Sequence, residues 1–154
     1  MVNGIFQPPA PHNEPVKGYL LGSDERIELE AELARQMSEV IEIPCIINGE
    51  EVWTNNVVEQ VLPHNHGHTL ARVHLAGEEE VRNAIQASLD AHKTWSTMPW
   101  EARGAIFLKA ANMLAGERRQ EINASTMLNQ SKTCHQAEID SACELIDFWR
   151  FNVD

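Results

Sequence analysis

The sequence has little positive charge and no long apolar run. Twelve Lys and Arg residues stand against 23 Asp and Glu residues, which gives a formal net charge of −11 at pH 7. This balance disfavours nucleic acids and anionic membranes as partners, because both bind basic surfaces. No apolar stretch approaches the length of a membrane span. Residues 1–15 show neither a basic signal-peptide start nor an Arg- and Ser-rich transit pattern, so no targeting segment is predicted.

Cysteine and glycine motifs are also missing. The three cysteines, Cys45, Cys134 and Cys143, form no Cys-x-x-Cys pair and cannot all be joined in disulfides, which favours a reducing, cytoplasmic location. None of them stands in a recognisable nucleophile–base motif, so no nucleophile is assigned. The eight glycines form no Gly-x-Gly-x-x-Gly fingerprint. The Ser-Lys-Thr run at 131–133 lacks the Gly-x4-Gly frame of a phosphate-binding loop and indicates a loop and helix cap.

What is present predicts one α+β unit that is rich in helix. The 154 residues are 43% hydrophobic and 23% charged, as in a globular domain. Residues 1–22 hold four of the seven prolines and are expected to form an extended arm. Residues 23–76 are expected to form a helix to about residue 42, ended by Pro44, and then two β-hairpins. The first hairpin turns at Asn48-Gly49.

The second part, residues 77–154, has a helical period throughout. Apolar residues recur every three or four positions, which predicts four helices, the third covering roughly 117–129 and the fourth roughly 134–152. The fourth helix is apolar almost all round, which is typical of a buried helix. There are no internal repeats.

Three histidines alternate in the stretch LPHNHGHTL, residues 62–70. On a strand, residues two apart share a face, so His64, His66 and His68 could converge on a zinc or nickel ion. The competing interpretation is a hairpin loop with its bend at 65–67, where Asn and Gly tolerate positive φ. In such a loop the three imidazoles would point in different directions, and the sequence offers no evident fourth ligand. The loop is favoured, and no metal is expected.

Three carboxylates follow a helical arc on the last predicted helix. Asp140, Glu144 and Asp147 are spaced i, i+4 and i+7. For Asp140 and Asp147 a solvated stripe is favoured. For Glu144 the sequence leaves a solvated position and a buried, functional position equally open, because buried carboxylates are costly unless they are paired or used. A di-iron site through His135 and Glu138 is rejected, since such sites need paired motifs.

Long segments resemble a known family. They are NEPVKGYLLGSDERIELEAEL (13–33), PHNHGH (63–68), AIFLKAANMLAG (105–116) and QSKTCHQAEIDSACELIDFWRFN (130–152). Together they resemble the N-terminal portion of the Δ1-pyrroline-5-carboxylate (L-glutamate γ-semialdehyde) dehydrogenases of the aldehyde dehydrogenase superfamily. Asn129 departs from the family, which usually has glycine there. Asn tolerates the left-handed conformation, so this departure is compatible with the fold.

The resemblance implies a role in proline catabolism, with NAD-dependent oxidation of the aldehyde to L-glutamate. It implies a small-molecule substrate whose α-ammonium is approached by Glu144. The family's nucleophilic cysteine, general-base glutamate, oxyanion-hole asparagine and NAD-binding strands would lie beyond residue 154. Residues 1–154 alone are therefore expected to hold no catalytic or cofactor-binding residue and to be inactive.

Two other functions stay open at this stage. The chain could be a standalone, non-catalytic interaction protein that binds itself or other dehydrogenase subunits through exposed hairpin edges. A weaker alternative is a helical metal-binding module that uses the histidines.

Overall fold

The computed structural model describes residues 4–154. It confirms the helix-rich α+β class and the four predicted helices after the hairpins, the last of which has three consecutive segments that we call together the C-terminal helix. The elements are α1 (Asp24–Ser38), β1 (Ile41–Ile43), β2 (Cys45–Ile47), β3 (Glu50–Val52), β4 (Val57–Leu62), β5 (Asn65–His74), α2 (Glu78–Trp95), α3 (Trp100–Ala115), α4 (Arg119–Gln130), α5 (Cys134–Ala137), the π-helical segment Glu138–Cys143 and α6 (Glu144–Phe151).

The predicted N-terminal arm lies partly outside the described residues, since residues 1–3 are not included. Residues 4–20 contain no helix or strand. The division of the chain at residues 22 and 76 stays a prediction. Within the described part, no helix combines the length and apolar character that crossing a membrane would require.

Helix α1 is shorter than predicted. It ends at Ser38, and Glu39 is already extended, with φ −122° and ψ 143°. The predicted end near residue 42 is wrong because Ile41–Ile43 forms strand β1, which pairs in parallel with β5. The β-branched side chains at these positions favour a strand once a partner is available. That partner lies some 30 residues further along the chain, at Ala71–Val73.

The second hairpin forms as predicted, but its bend lies elsewhere. Pro63 and His64 form the turn, and β5 begins at Asn65. Leu62 pairs with Asn65 while Val61 pairs with Thr69, so residues 66–68 lie in an irregularity of the ladder. The predicted bend at 65–67 is therefore wrong: Pro63 supplies the fixed φ that starts the turn.

Two small groups of buried side chains hold the layers together. The first group lies between α3 and the C-terminal helix, where two small alanines permit close approach: Ala111, Leu114, Ala142 and Ile146. The second group joins the β4–β5 hairpin to α4, with Leu33 of α1 packed against it: Leu62, Leu70 and Leu128. Helix α2 has no buried residue, and its large apolar side chains are exposed. The core thus centres on α4 and the C-terminal helix.

The Asn48-Gly49 turn gives a test of the first hairpin. Both residues have positive φ, 54° and 81°, as a two-residue primed turn requires. Gly49→Ala should lower the free energy of unfolding by about 1 kcal/mol, because a Cβ is unfavourable in the left-handed region. Urea denaturation measures the change.

Gly67→Ala is the matched control for this test. Gly67 does not have positive φ, and an added Cβ would meet Asn65 Oδ1 at an ordinary 3.6 Å. This variant should leave stability nearly unchanged. Equal losses in the two variants would contradict the assigned turn.

Candidate functional site

Glu144, the residue singled out from the sequence, is exposed on the C-terminal helix. It is the first residue of α6, directly after the π-helical segment. Its carboxylate makes no hydrogen bond or ion pair with another side chain of residues 4–154 in the structure. Of the two positions that the sequence left open, the structure shows the solvated one. The carboxylate is accessible to a ligand.

The two neighbouring carboxylates differ from each other. Asp140 is exposed and accepts a hydrogen bond from Lys132 Nζ at 2.6 Å, as expected for a solvated stripe. Asp147 is half-buried and accepts hydrogen bonds from Asn13 Nδ2 and from the Glu14 backbone amide, each at 2.7 Å. The prediction of a solvated Asp147 is wrong, because the N-terminal arm lies against it.

The arm is held by a buried ion pair between α4 and the π-helical segment. Arg119 and Glu138 are 1% and 0% exposed. The guanidinium of Arg119 donates to both carboxylate oxygens of Glu138, through Nη2 and, at 3.2 Å, through Nε. A charge buried this deeply is costly unless every polar atom finds a partner.

Further donors complete the coordination of the Glu138 carboxylate. Two come from the arm: the Lys17 backbone amide at 2.7 Å and the Tyr19 hydroxyl at 2.8 Å. Asn123 Nδ2 of α4 donates at 2.8 Å. These five donors, two from the arm and three from α4, surround one carboxylate, which makes the geometry specific as well as stable.

Glu14 connects the two sides of this cluster. Its Oε1 pairs with Arg119 Nη1, and its Oε2 pairs with Arg150 Nη1 of α6 at 2.7 Å. Arg119 Nη2 also donates to the Pro15 carbonyl at 2.8 Å. We call Glu14, Arg119, Glu138, Asp147 and Arg150 the arm clamp. It joins the arm, α4 and the C-terminal helix.

The π-helical segment places both of its ends against Arg119. Glu138 begins the segment and Cys143 ends it, and Arg119 Nη2 lies 3.4 Å from Cys143 Sγ. Hydrogen bonding from i to i+5 brings residues five apart onto one side of the helix. Sequence reasoning missed Glu138, which it had considered with His135 and set aside. The available signal was a charged residue within an almost wholly apolar helix.

The contacts of the arm clamp shift the acidity of Glu138 and of the adjacent Cys143. Burial alone would raise the pKa of Glu138, but hydrogen bonds from Arg119, Lys17, Tyr19 and Asn123 outweigh it and lower the pKa to about 2. Burial, with the nearby Glu138 charge, raises the pKa of the Cys143 thiol to about 11. Cys143 is therefore a protonated, structural thiol at neutral pH.

The histidine stretch shows no converging arrangement. His64 Nδ1 lies 2.9 Å from Ser131 Oγ, while His66 is exposed and His68 is half-buried. In the part of the chain that the structure describes, no three His, Cys, Asp or Glu side chains are grouped to hold a metal ion. The expectation that the protein binds no metal stays a prediction.

Comparisons with known proteins point to one family. The model of the aldehyde dehydrogenase family matches residues 52–154. The chain is 48% identical over 149 residues to the Δ1-pyrroline-5-carboxylate dehydrogenase of Agaricus bisporus, covering 96% of this chain and 27% of that protein. It is 50% identical over 140 residues to the mitochondrial Δ1-pyrroline-5-carboxylate dehydrogenase of Homo sapiens, covering 91% of this chain and 25% of that protein.

A solved structure agrees in three dimensions. The Δ1-pyrroline-5-carboxylate dehydrogenase of Mycobacterium tuberculosis bound with NAD superposes with a TM-score of 0.96 at 42% identity, over 99% of this chain and 29% of that one. The chain therefore spans a little over a quarter of the length of the proteins that it resembles. The order of its elements matches those of the larger fold.

The lowered pKa of Glu138 predicts a specific loss of stability in acid. A folded-state pKa of about 2, below the ordinary 4.5, contributes stability above pH 4.5 that is lost as the pH falls towards 2. Glu138→Gln should lower the free energy of unfolding by ~3 kcal/mol at pH 7, because it leaves the buried guanidinium partly uncompensated. The gap between wild type and variant should shrink between pH 4.5 and 2.

Urea denaturation at several pH values measures this gap. Asp140→Asn is the control, since the Asp140 carboxylate is exposed and its removal should change stability little at any of these pH values. A gap for Glu138→Gln that stays constant down to pH 2.5 would show that the carboxylate is not held ionised by the clamp.

Proposed function

Because this chain belongs to the aldehyde dehydrogenase family, we propose that it is the N-terminal portion of an NAD-dependent Δ1-pyrroline-5-carboxylate dehydrogenase. Such an enzyme oxidises L-glutamate γ-semialdehyde to L-glutamate in proline catabolism. The observation that carries this proposal is an identity of 48–50% over more than nine-tenths of the chain to proteins of that name. A cytoplasmic location is part of the proposal, although several relatives are named as mitochondrial.

The proposed chemistry divides between this segment and the rest of the enzyme. Oxidation would proceed through a thiohemiacetal and a thioester on a cysteine that we place outside residues 1–154. Within the segment, the thiol of Cys143 is 5% exposed and has a raised pKa. It is therefore unsuited to nucleophilic attack, because the thiolate is the reactive form. We assign no catalytic residue to this segment.

NAD, which would accept the hydride, has no site that we can assign among the described residues. A cleft of about 710 Å³ lies beside α1 and α4, and its charged lining consists of four glutamates, Glu28, Glu32, Glu117 and Glu121, and three cations, Lys17, Arg35 and Arg118. Arg35 and Arg118 already pair with Glu32 and Glu121, so little positive charge is left to hold the pyrophosphate of a dinucleotide. We therefore place the cofactor site elsewhere in the enzyme.

Recognition of the substrate is the role that we propose for this segment. Glutamate semialdehyde carries an α-ammonium group that simple aldehydes lack. The exposed Glu144 has no internal cation as a partner in residues 4–154 and could accept a charge-assisted hydrogen bond from that ammonium. Substrate choice would thus depend on a residue that takes no part in the bond changes.

Glu144→Ala in the full-length enzyme tests this role. The loss of a hydrogen bond to a charged group typically costs about 1.5–3 kcal/mol, or roughly 10- to 150-fold in kcat/KM. Oxidation of glutamate semialdehyde should fall by such a factor, while the KM for NAD stays the same and propanal is affected much less. Steady-state NADH production with each aldehyde measures the effect.

The matched control is Asp140→Ala, an exposed carboxylate one turn earlier on the same helix. It should change neither activity appreciably. Asp147→Ala is unsuitable as a control because it removes two contacts to the arm. Equal losses with both aldehydes in Glu144→Ala would show that the residue supports the fold and does not recognise the substrate.

A further inference from the structure

Glu144 lies between points of the C-terminal helix that are fixed from outside the helix. Before it, Glu138 and Cys143 both contact Arg119. After it, Asp147 and Arg150 are both held by the arm. Glu144 has no fixing contact of its own among the described side chains. Its position is therefore set by the rotation of α6 about its axis and by the displacement of α6 along that axis.

Glu14 contacts residues that fix the helix both before and after Glu144. Its two carboxylate oxygens join Arg119 and Arg150, and its backbone amide donates to Asp147. With a side chain only 11% exposed, between guanidiniums that are 1% and 13% exposed, the carboxylate is shielded from water. Charge pairs of this kind have defined, directional geometry.

Removing the Glu14 charge would change the forces on α6. Arg119 would keep Glu138, but Arg150 would lose the carboxylate that holds it against the arm. The two guanidiniums, no longer bridged, would repel each other across a weakly hydrated space. The C-terminal half of the helix would be free to shift, and Glu144 would shift with it.

We propose that Glu14 of the arm is a positioning residue for substrate specificity, which acts by holding α6 so that Glu144 meets the α-ammonium of the amino-acid aldehyde. This inference rests on the proposed function. The arm would then set the substrate preference of a site that it does not itself touch. A misplacement of about 1 Å can cost on the order of a hundredfold in rate, so a modest shift of the helix is sufficient.

The test compares Glu14→Gln with wild type in the full-length enzyme. The variant keeps the size of the side chain and removes its charge. The KM for glutamate semialdehyde should rise roughly 3- to 30-fold, within the hundredfold that misplacement can cost, while kcat for propanal and the KM for NAD stay unchanged. Glu32→Gln is the matched control, because Glu32 is similarly shielded, at 18% exposure, and pairs with Arg35 away from the clamp.

A double-mutant cycle separates positioning from general support of the fold. If Glu14 acts through Glu144, then Glu14→Gln should have no further effect on the KM for glutamate semialdehyde once Glu144 is alanine. An undiminished effect in the Glu144→Ala background, or equal damage to both aldehydes, would overturn the inference. Failure of the proposed function is visible separately, as a Glu144→Ala single variant without selective loss, and it overturns the inference as well.

A milder variant decides the question if Glu14→Gln does not fold. Asn13→Ala removes only the exposed hydrogen bond to Asp147. A smaller selective rise in the KM for glutamate semialdehyde that vanishes in the Glu144→Ala background would support the inference. An unchanged KM in this variant would overturn it.

Discussion

The ion pair between Arg119 and Glu138 is the interaction on which the arrangement of the remaining elements depends. Both side chains are almost fully removed from water, and the energetic penalty of that burial exceeds what one bare pair recovers. The pair is stable because the arm supplies additional partners, the Glu14 carboxylate for the arginine and the Lys17 amide and Tyr19 hydroxyl for the glutamate. The pair therefore requires the arm, and the arm has a defined path because the pair is there.

The π-helical segment is a local consequence of the same constraint. The C-terminal helix must present Ala142 and Ile146 to the alanine-rich face of α3 and also present Glu138 to α4. A regular α-helix turns about 100° per residue, which would separate residues 138 and 143 by about 140° around the axis. Pairing from i to i+5 returns the two towards one side, where Arg119 contacts both. The π-helical segment thus lets one helix present a carboxylate to Arg119 of α4 and apolar side chains to α3 on neighbouring faces.

Periodicity was sufficient to predict the helices and the first hairpin, because these features depend on neighbours within a few residues; the role of Glu144, which the resemblance implies, stays a proposal. Strand β1 was missed since Ile41–Ile43 pairs with residues some 30 positions away. The roles of Asp147 and Glu138 were missed for the same reason, as their partners in the arm lie more than 115 residues earlier in the chain. A carboxylate on a helix has the same local pattern whether water or a distant arm faces it.

The charges of the arm clamp also affect how Glu144 can act. Arg119 and Arg150 are matched by Glu14 and Glu138, so the arginines are already engaged. Asp147, three residues from Glu144 on the same helix, receives only neutral N–H donors from the arm, so the arm supplies no cation to match its carboxylate. Residues three apart on a helix are neighbours, so two negative charges stand close together without an arginine assigned to either. Since Coulombic attraction strengthens as water is excluded, a site closed over this face would favour a cationic group, and the ammonium of the proposed substrate carries the required charge.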